Sequence, residues 1–387
     1  MSEPASPDAD RAYMARALAL AANGLYTATP NPRVGSVIVK DGEVLGEGWH
    51  ERAGEPHAEI NALAHANAQG RDTHGATLYS TLEPCNHVGR TAPCADAVIA
   101  AGVTRVVAAM ADPNVEAEGG TARMRAAGIE VDVGMCEKEA RELNIGFVSR
   151  VTRGRPWVRL KVAASLDGRT ALESGESQWI TGEAARADGH RFRARACAIL
   201  TGIGTVRRDD PQLTVRAVST PRQPRRVVVD RAAETPPSAR VLADGDAWVV
   251  TAGSRNPAWP AGTDVLTLPD ADRRIDLAAL MRELGSRGIN ELHVEAGGKL
   301  NGALFAAGLV DEVVVYLAPC LIGDPARGIA EWRSGLADLS DRIPLAVVDV
   351  TRIGDDLRIL ARVANERRAV ARAIDEPRAV VRAEREV

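Results

Sequence analysis

A histidine, a glutamate and two cysteines stand at spacings that suit a catalytic zinc ion. His57 and Glu59 are separated by one alanine, and Cys85 and Cys94 follow later in the chain. One imidazole and two thiolates suit tetrahedral Zn²⁺, with the fourth position left open for water. A bound zinc would lower the pKa of that water to about 7. Glu59, which is not a ligand in this arrangement, could then carry the proton from the water to a leaving amine.

The spacing of the two cysteines differs from the zinc-deaminase signature. That signature, H-x-E followed by P-C-x-x-C, places two residues between its thiolates, whereas residues 86–93 separate Cys85 from Cys94. A lone H-x-E is most often the polar surface of a helix. Its combination with a Pro-Cys pair after a predicted strand favours a metal site. Cys94 taken alone could equally be a small buried thiol.

Helices and strands must alternate to place these residues. Apolar residues at helical spacing predict helices over 9–22 and 57–68, and Asp41-Gly42 predicts a tight turn between strands 34–40 and 43–50. The alternation continues through the first third of the chain and predicts a layered α/β domain. Both ligand clusters would open helices, where the positive end of the helix dipole favours thiolate over thiol.

The composition changes near residue 150, where the basic segment 148–157 contains glycine and proline and lacks apolar periodicity. Such a segment predicts a domain boundary, and a new alternation of strands and helices follows it. We therefore predict domains of residues 1–149 and 150–362 and a charged tail of 363–387. The tail has little apolar patterning, so a solvated helix or a disordered segment is expected.

Glycine-rich turns in the second half could bind a cofactor. Gly202-x-Gly204 after a predicted strand is a weak dinucleotide signal, because the third glycine of that motif is missing. In segment 294–305 the strand ends at Glu295, two glycines follow, and a helix is predicted to begin near Asn301. Its exposed N–H groups would bind a phosphate. A plain glycine turn between strand and helix is the alternative reading.

The composition favours small-molecule chemistry in a reducing compartment. Lys and Arg number 48 against 52 Asp and Glu, and only 3% of the residues are aromatic. Neither feature suits a protein that coats nucleic acid or an anionic membrane. The five scattered cysteines do not indicate a disulfide framework. No apolar run is long enough to span a bilayer, and the acidic opening is unlike a signal peptide, so we predict a cytoplasmic protein.

Long motifs in both halves resemble the bacterial bifunctional riboflavin-biosynthesis enzymes, which join a pyrimidine deaminase to a pyrimidine reductase. In that family the longer spacing between the thiolates is the normal form. The motifs of the first half are TPNPRVGSVIV (29–39), PHAEINAL (56–63) and TLEPCNHVGRTAPC (81–94). Those of the second half are LKVAASLDGRTA, SGESQWIT, DDPQLTVR and VEAGGKLNGALFAAGLVDE.

The resemblance implies an α/β protein with an N-terminal cytidine-deaminase-like α/β/α domain and a C-terminal dihydrofolate-reductase-like α/β domain. It also implies two cofactors, Zn²⁺ and NADPH. His57, Cys85 and Cys94 would be the zinc ligands and Glu59 the proton shuttle. Asn31, His87 and Arg90 could meet substrate, although the last two could equally be solvent-facing. The sequence leaves the role of His50 open.

The reductase site is also implied by resemblance, position by position. The NADPH site would comprise Ala163, Trp179, Thr205, Asp209, Gly297, Gly298, Lys299, Leu300, Asn301, Gly302 and Ala303. Substrate would be met by Ser177, Arg193, Leu213, Arg216 and Glu295, and Lys161 and Asp167 could add polar contacts. Arginine suits this task because a guanidinium can hold a phosphate with two parallel hydrogen bonds.

The expected function is two consecutive steps on a pyrimidine ribosyl phosphate: zinc-dependent deamination, then NADPH-dependent reduction of the ribosyl group to ribityl. A homo-oligomer without nucleic-acid or membrane partners is expected. One alternative is a nucleic-acid or nucleoside zinc deaminase with an accessory domain. Another is a zinc-stabilised binding protein, although structural zinc normally takes four protein ligands.

Overall fold

The computed structural model describes residues 6–87, 93–332 and 338–364. Its helices are α1 (Pro7–Ala22), α2 (Ala58–Ala68), α3 (Cys94–Ala100), α4 (Gly120–Ala126), α5 (Glu137–Leu143), α6 (Ile145–Arg153), α7 (Glu183–Arg195), α8 (Ile203–Asp209), α9 (Leu277–Ser286) and α10 (Gly298–Ala306). Its strands are β1 (Gly35–Lys40), β2 (Glu43–Trp49), β3 (Thr77–Ser80), β4 (Arg105–Ala108), β5 (Glu130–Val133), β6 (Trp157–Ser165), β7 (Arg169–Ala171), β8 (Ala198–Gly202), β9 (Arg225–Val229), β10 (Ala247–Thr251), β11 (Asp264–Thr267), β12 (Glu291–Val294), β13 (Glu312–Ala318), β14 (Arg327–Gly328), β15 (Leu345–Ile353) and β16 (Asp356–Val363).

A five-stranded sheet organises the first third of the chain. Its strand order is β2-β1-β3-β4-β5. β1 pairs antiparallel with β2 and β3, whereas β3, β4 and β5 run parallel. Asp41 and Gly42 join β1 to β2 with φ values of 51° and 78°. Both residues are in the left-handed region that such turns require, so the predicted hairpin is confirmed.

Helices cover both faces of this sheet. Val37 lies in a buried cluster with Met14 of α1 and Ala140 of α5, whereas its neighbour Ile38 lies in a second cluster with Ala62 of α2. Successive side chains of a strand point to opposite faces, so the two clusters are the two cores of a three-layered arrangement. The α/β/α layering expected for the N-terminal domain is confirmed.

The described residues group into two compact units, which lie within Met1–Arg159 with Arg186–Gly297 and within Leu160–Ala185 with Gly298–Val387. Besides the five-stranded sheet, the first unit contains the strand run β11-β10-β9-β8-β12. Each neighbouring pair in this run is parallel. Apolar residues of β8, β9, β10 and α8 form its buried cluster.

The second unit is built around the strand order β6-β13-β16-β15. β16 pairs antiparallel with both β13 and β15, and β7 pairs antiparallel with β14. α10 also belongs to this unit, and its glycines contact the backbone beside β14. No helix in the described residues is long and apolar enough to cross a membrane.

Several elements differ from the sequence-based expectation. α6 is a helix over Ile145–Arg153 and so runs through the boundary predicted near residue 150. The sequence also does not predict α5, α8 or the β15–β16 hairpin, because each is short or lacks a clear apolar period. The limits 1–149 and 150–362 stay a prediction. Residues 365–387 of the predicted tail lie outside the described residues.

Candidate active site

Three separate elements bring His57, Cys85 and Cys94 together. His57 is the residue immediately before α2 and has an extended backbone, so the helix begins directly after it. Cys94 is the first residue of α3. Cys85 lies in the loop that follows β3, and its carbonyl oxygen accepts a hydrogen bond from the backbone N–H of Ala95. The predicted placement of both clusters at helix starts is thereby confirmed.

The side chains of these three residues form one compact donor set. His57 Nδ1 lies 3.2 Å from Cys94 Sγ and 3.6 Å from Cys85 Sγ, and the three ligand atoms lie within 4.8 Å of one another. Hydrogen bonding from Cys94 and then His57 lowers the pKa of the Cys85 thiol below its usual range. One imidazole and two thiolates in this arrangement fit Zn²⁺ with an open fourth position.

Glu59 lies beside this donor set in the first turn of α2 and is only 3% exposed. Its carboxyl group hydrogen-bonds with Cys94, and burial raises its pKa to about 7. A carboxyl with such a pKa can both take up and release a proton near neutral pH, as acid-base catalysis requires. This geometry supports the proton-shuttle role predicted for Glu59.

A buried carboxylate that the sequence does not single out holds the loop around Cys85. The side chain of Glu83 accepts hydrogen bonds from the backbone N–H groups of Asp112 and Thr121, at 3.0 and 2.8 Å. Gly120 packs against the same loop, since a Cβ there would lie 1.8 Å from the carbonyl oxygen of Pro84. These contacts connect the cysteine loop to the segment that follows β4.

His50 lies next to His57 of the donor set and hydrogen-bonds with Asn31. The His50 ring packs edge-on to the His57 ring with a centroid distance of 5.2 Å. Its Nε2 lies 3.0 Å from Asn31 Nδ2, and its Nδ1 lies 3.1 Å from the carbonyl oxygen of Pro56. Burial lowers the pKa of His50, so the ring is neutral. His50, which the sequence left open, is thus a partner of Asn31. His87 is exposed, and Arg90 lies outside the described residues.

Two of the predicted reductase-site residues form a charged pair. Arg193 of α7 and Glu295, which follows β12, make two parallel hydrogen bonds, Nε to Oε1 at 2.5 Å and Nη2 to Oε2 at 2.8 Å. Arg193 also donates to the carbonyl oxygen of Thr214 at 3.0 Å. The planar guanidinium is thus held in one orientation, and Glu295 accepts its two parallel hydrogen bonds.

Other predicted residues of the first unit lie near this pair or on α8. Leu213 is buried with a φ of 53°, and Arg216 is exposed, with its guanidinium donating to Thr214 Oγ1 at 3.0 Å. Thr205 and Asp209 both lie on α8 and are half-buried. The sequence does not predict this short helix. Burial raises the pKa of Asp209.

In the second unit, the glycine-rich segment begins helix α10. The helix begins at Gly298, earlier than the predicted Asn301. A Cβ at Gly302 would lie 2.0 Å from the carbonyl oxygen of Glu331, so this glycine serves close backbone packing. Asn301 is buried and donates from Nδ2 to the carbonyl oxygen of Ile329 at 2.9 Å. The other predicted cofactor residues of the segment are Lys299 and Ala303, both exposed, and Leu300, which is half-buried.

The remaining predicted residues are spread along the chain. Ala163 of β6 and Ser177 are half-buried, whereas Trp179 is 70% exposed. Gly297 precedes α10 and is exposed. Asp167 accepts hydrogen bonds from the backbone N–H groups of Ile322 and Gly323. A structural role in that loop therefore accounts for Asp167, and the assignment of the others to a cofactor site stays a prediction.

Two family models match the chain. The model described as the cytidine and deoxycytidylate deaminase zinc-binding region matches residues 7–110. The model described as the RibD C-terminal domain matches residues 156–358. The first match contains the whole donor set of His57, Cys85 and Cys94, and the second contains the pair of Arg193 and Glu295.

Full-length relatives and solved structures agree with both matches. The riboflavin biosynthesis protein RibD of Escherichia coli (strain K12) is 48% identical over 362 residues, covering 90% of this chain and 98% of the relative. The structure of Acinetobacter baumannii RibD, form 1, has a TM-score of 0.84 at 40% identity and covers 92% of this chain and 99% of that one. A Thermotoga maritima structure, a diaminohydroxyphosphoribosylaminopyrimidine deaminase/5-amino-6-(5-phosphoribosylamino)uracil reductase, has a TM-score of 0.85 at 34% identity with the same coverage. This chain belongs to the RibD family of riboflavin biosynthesis proteins.

Proposed function

We propose that this chain performs two consecutive steps of riboflavin biosynthesis. The first is the hydrolytic deamination of a diaminohydroxyphosphoribosylaminopyrimidine, and the second is the NADPH-dependent reduction of the ribosyl group of 5-amino-6-(5-phosphoribosylamino)uracil to ribityl. The observation that carries the proposal is the compact set of His57, Cys85 and Cys94 with buried Glu59 beside it. Membership of a family with a deaminase and a reductase module supports both steps.

The deamination step assigns a distinct task to each of these residues. His57, Cys85 and Cys94 would hold Zn²⁺, which when bound supplies a Lewis acid that lowers the pKa of water. Glu59 takes a proton at its carboxylate and delivers it to the leaving amine, which departs as ammonia. Its position against the Cys94 side chain and its raised pKa suit both halves of that transfer. Asn31 would orient the substrate.

The reduction step depends on orientation, because the cofactor supplies the hydride. Arg193, fixed by Glu295, would hold polar groups of the ribosyl phosphate, and Arg216 and Leu213 would contribute to the same substrate site. The glycine-rich start of α10 would receive NADPH.

Arg193→Lys should impair reduction without affecting deamination. A lysine cannot reproduce the two parallel bonds to Glu295, so we expect the KM for the uracil intermediate to rise about 10- to 100-fold, the cost of one or two charged hydrogen bonds. The matched control is Arg191→Lys on the same helix, since the Arg191 side chain is 72% exposed. Substrate-dependent loss of NADPH absorbance measures the effect. An unchanged KM would remove Arg193 from the substrate site.

A coupled assay tests the proposed function as a whole. The purified full-length chain, with its zinc content measured, is given the diaminopyrimidine ribosyl phosphate, and ammonia release and NADPH oxidation are followed together. Ammonia without NADPH oxidation would leave only the deaminase, and the absence of both would reject the proposal. The competing nucleic-acid deaminase predicts ammonia release from single-stranded oligonucleotides. The near balance of 48 basic and 52 acidic residues argues against it.

We further propose a cytoplasmic homo-oligomer that binds small molecules and no nucleic acid. Strand β15 exposes Leu345, Val347, Val348 and Val350 by 46 to 62%, an apolar patch of the kind that marks protein contacts. We expect light scattering coupled to gel filtration to give a mass above that of one chain, and Val347→Lys to reduce it. A monomer at micromolar concentration would contradict this expectation.

A further inference from the structure

A fully buried carboxylate in the first unit is bonded to three arginines. Glu291, the first residue of β12, is 0% exposed. Its Oε1 accepts from Arg33 Nη1 at 2.8 Å, and its Oε2 accepts from Arg159 Nη1 at 2.9 Å and from Arg195 Nε at 2.7 Å. Arg33 precedes β1, Arg159 lies on β6, and Arg195 ends α7. A buried charge is retained only when its partners are well placed, so these four side chains fix one another's positions.

One of the three arginines belongs to the turn that carries Asn31. We call residues 29–34 the Asn31 turn. Arg33 Nη1 also donates to the carbonyl oxygen of Leu143 at 2.7 Å, and its backbone N–H donates to Asn144 Oδ1 at 2.7 Å. The Asn31 turn is therefore held by Glu291 at its C-terminal end.

The residue before Glu291 holds the same turn at its N-terminal end. Asn290 Nδ2 donates to the carbonyl oxygen of Pro30 at 3.0 Å, and Arg150 Nη2 donates to that oxygen at 3.3 Å. Arg150 Nε in turn donates to Asn290 Oδ1 at 2.6 Å. Two consecutive residues of the chain thus grip the Asn31 turn on either side of Asn31.

Within the turn, hydrogen bonding fixes which way the Asn31 amide points. The carbonyl oxygen of Pro56 can only accept, so His50 Nδ1 carries the hydrogen, and the Asn31 amide nitrogen can only donate, so His50 Nε2 is the acceptor. That acceptor receives Asn31 Nδ2–H at 3.0 Å. Asn31 Oδ1 is consequently turned away from His50, as an acceptor for an N–H or O–H group of substrate.

We propose that Asn290 and Glu291 are positioning residues for deamination, acting through the Asn31 turn. The inference rests on the proposed deaminase function. If so, β12 and the residue after it serve both steps. Glu291, the first residue of β12, fixes the Asn31 turn, and Glu295, four residues or roughly 13 Å further on, fixes Arg193. Damage to the start of this strand should therefore weaken deamination, even though the strand belongs to the reductase half of the sequence.

Glu291→Gln in the full-length zinc-loaded chain is the direct test. We expect the KM for deamination to rise about 10- to 100-fold, the effect of a displacement of about 1 Å at a substrate-orienting residue. Zinc content and the reduction of the supplied uracil intermediate should be unchanged. The matched control is Glu283→Gln, which removes an ion pair near the surface between Glu283 of α9 and Arg287, the residue after that helix.

A second variant answers the case in which Glu291→Gln does not fold. Gly146 of α6 lies against the same two residues: a Cβ there would lie 2.4 Å from Glu291 Cγ and 2.7 Å from the carbonyl oxygen of Asn290. Gly146→Ala should therefore displace them, although alanine is the better helix former. Gly189→Ala in α7 is the control, because nothing lies within 4 Å of the Cβ it would add.

The outcomes separate positioning from simple stabilisation. The proposal predicts that Gly146→Ala raises the KM for deamination and leaves zinc content and reduction unchanged. Gly189→Ala should leave all three unchanged. Equal losses of both activities, or loss of zinc, would show a purely structural role and overturn the proposal. Unchanged deamination in a chain with a displaced Asn290 would overturn it too. Failure of the unaltered chain to deaminate would instead reject the proposed function itself.

Discussion

Glu59→Gln is expected to reduce the rate of deamination about 10²- to 10⁴-fold, the range that positioned acid-base groups contribute. Glutamine has nearly the same shape, so the packing of the first turn of α2 should persist. It cannot take up a proton from water, however, and cannot deliver one to the leaving amine. Zinc should stay bound, because the donor set consists of His57, Cys85 and Cys94.

The measurement is single-turnover ammonia release by the zinc-loaded variant. Reduction of supplied uracil intermediate by the same preparation reports that the chain is folded and should be unchanged. Glu55→Gln is the matched control, since Glu55 precedes α2 and is exposed. Full deamination by the Glu59→Gln variant would show that another group moves the proton, and a rate lowered only through KM would make Glu59 a binding residue.

The features of the fold and of the zinc site that the sequence predicts are those encoded by short local patterns. Asp41-Gly42 predicts the β1–β2 hairpin because only a few residue types tolerate two successive positive φ values. The helix starts at His57 and Cys94 are predicted because apolar residues at helical spacing follow each of them. Such features depend on neighbours within one or two turns of chain, and the structure agrees with them.

Contacts between distant segments are what the sequence cannot predict. His50 is one of seven histidines, and nothing beside it reveals that it will meet Asn31. No local pattern predicts that the Glu291 side chain is buried, and a buried carboxylate requires hydrogen-bonding partners. The sequence cannot name them, because Arg33 lies 258 positions away and the chain contains many other arginines. Their identity follows only from how the sheets pack.

The short helix α6 shows a second limit of prediction from sequence. α6 (Ile145–Arg153) carries its two arginines, Arg150 and Arg153, near its C-terminal end, and a glycine with a φ of 66° follows it. A basic segment with glycine and proline looks like a linker, yet its buried face, including Phe147, is apolar. Tertiary packing, more than helix propensity, stabilises so short an element.

Cys94→Ser is expected to remove zinc and with it all measurable deamination. A serine hydroxyl stays protonated and is a poor ligand beside an imidazole and one thiolate, so the open-site geometry would rest on two donors. The loss of zinc affinity should exceed the about 10- to 100-fold that removal of an outer-shell partner costs. Because Cys94 is 0% exposed and begins α3, unfolding of the N-terminal domain should also occur at lower temperature.

Zinc per chain after dialysis, measured by atomic emission, is the decisive readout for this variant. Cys320→Ser is the matched control, because Cys320 is exposed and lies in the second unit. Chelation of zinc from the unaltered chain should reproduce the loss of deamination while reduction of supplied intermediate continues. If Cys94→Ser kept one zinc per chain and deaminated normally, the third ligand would have to be another residue. If chelation abolished reduction as well, zinc would be required by the whole chain and not by the first step alone.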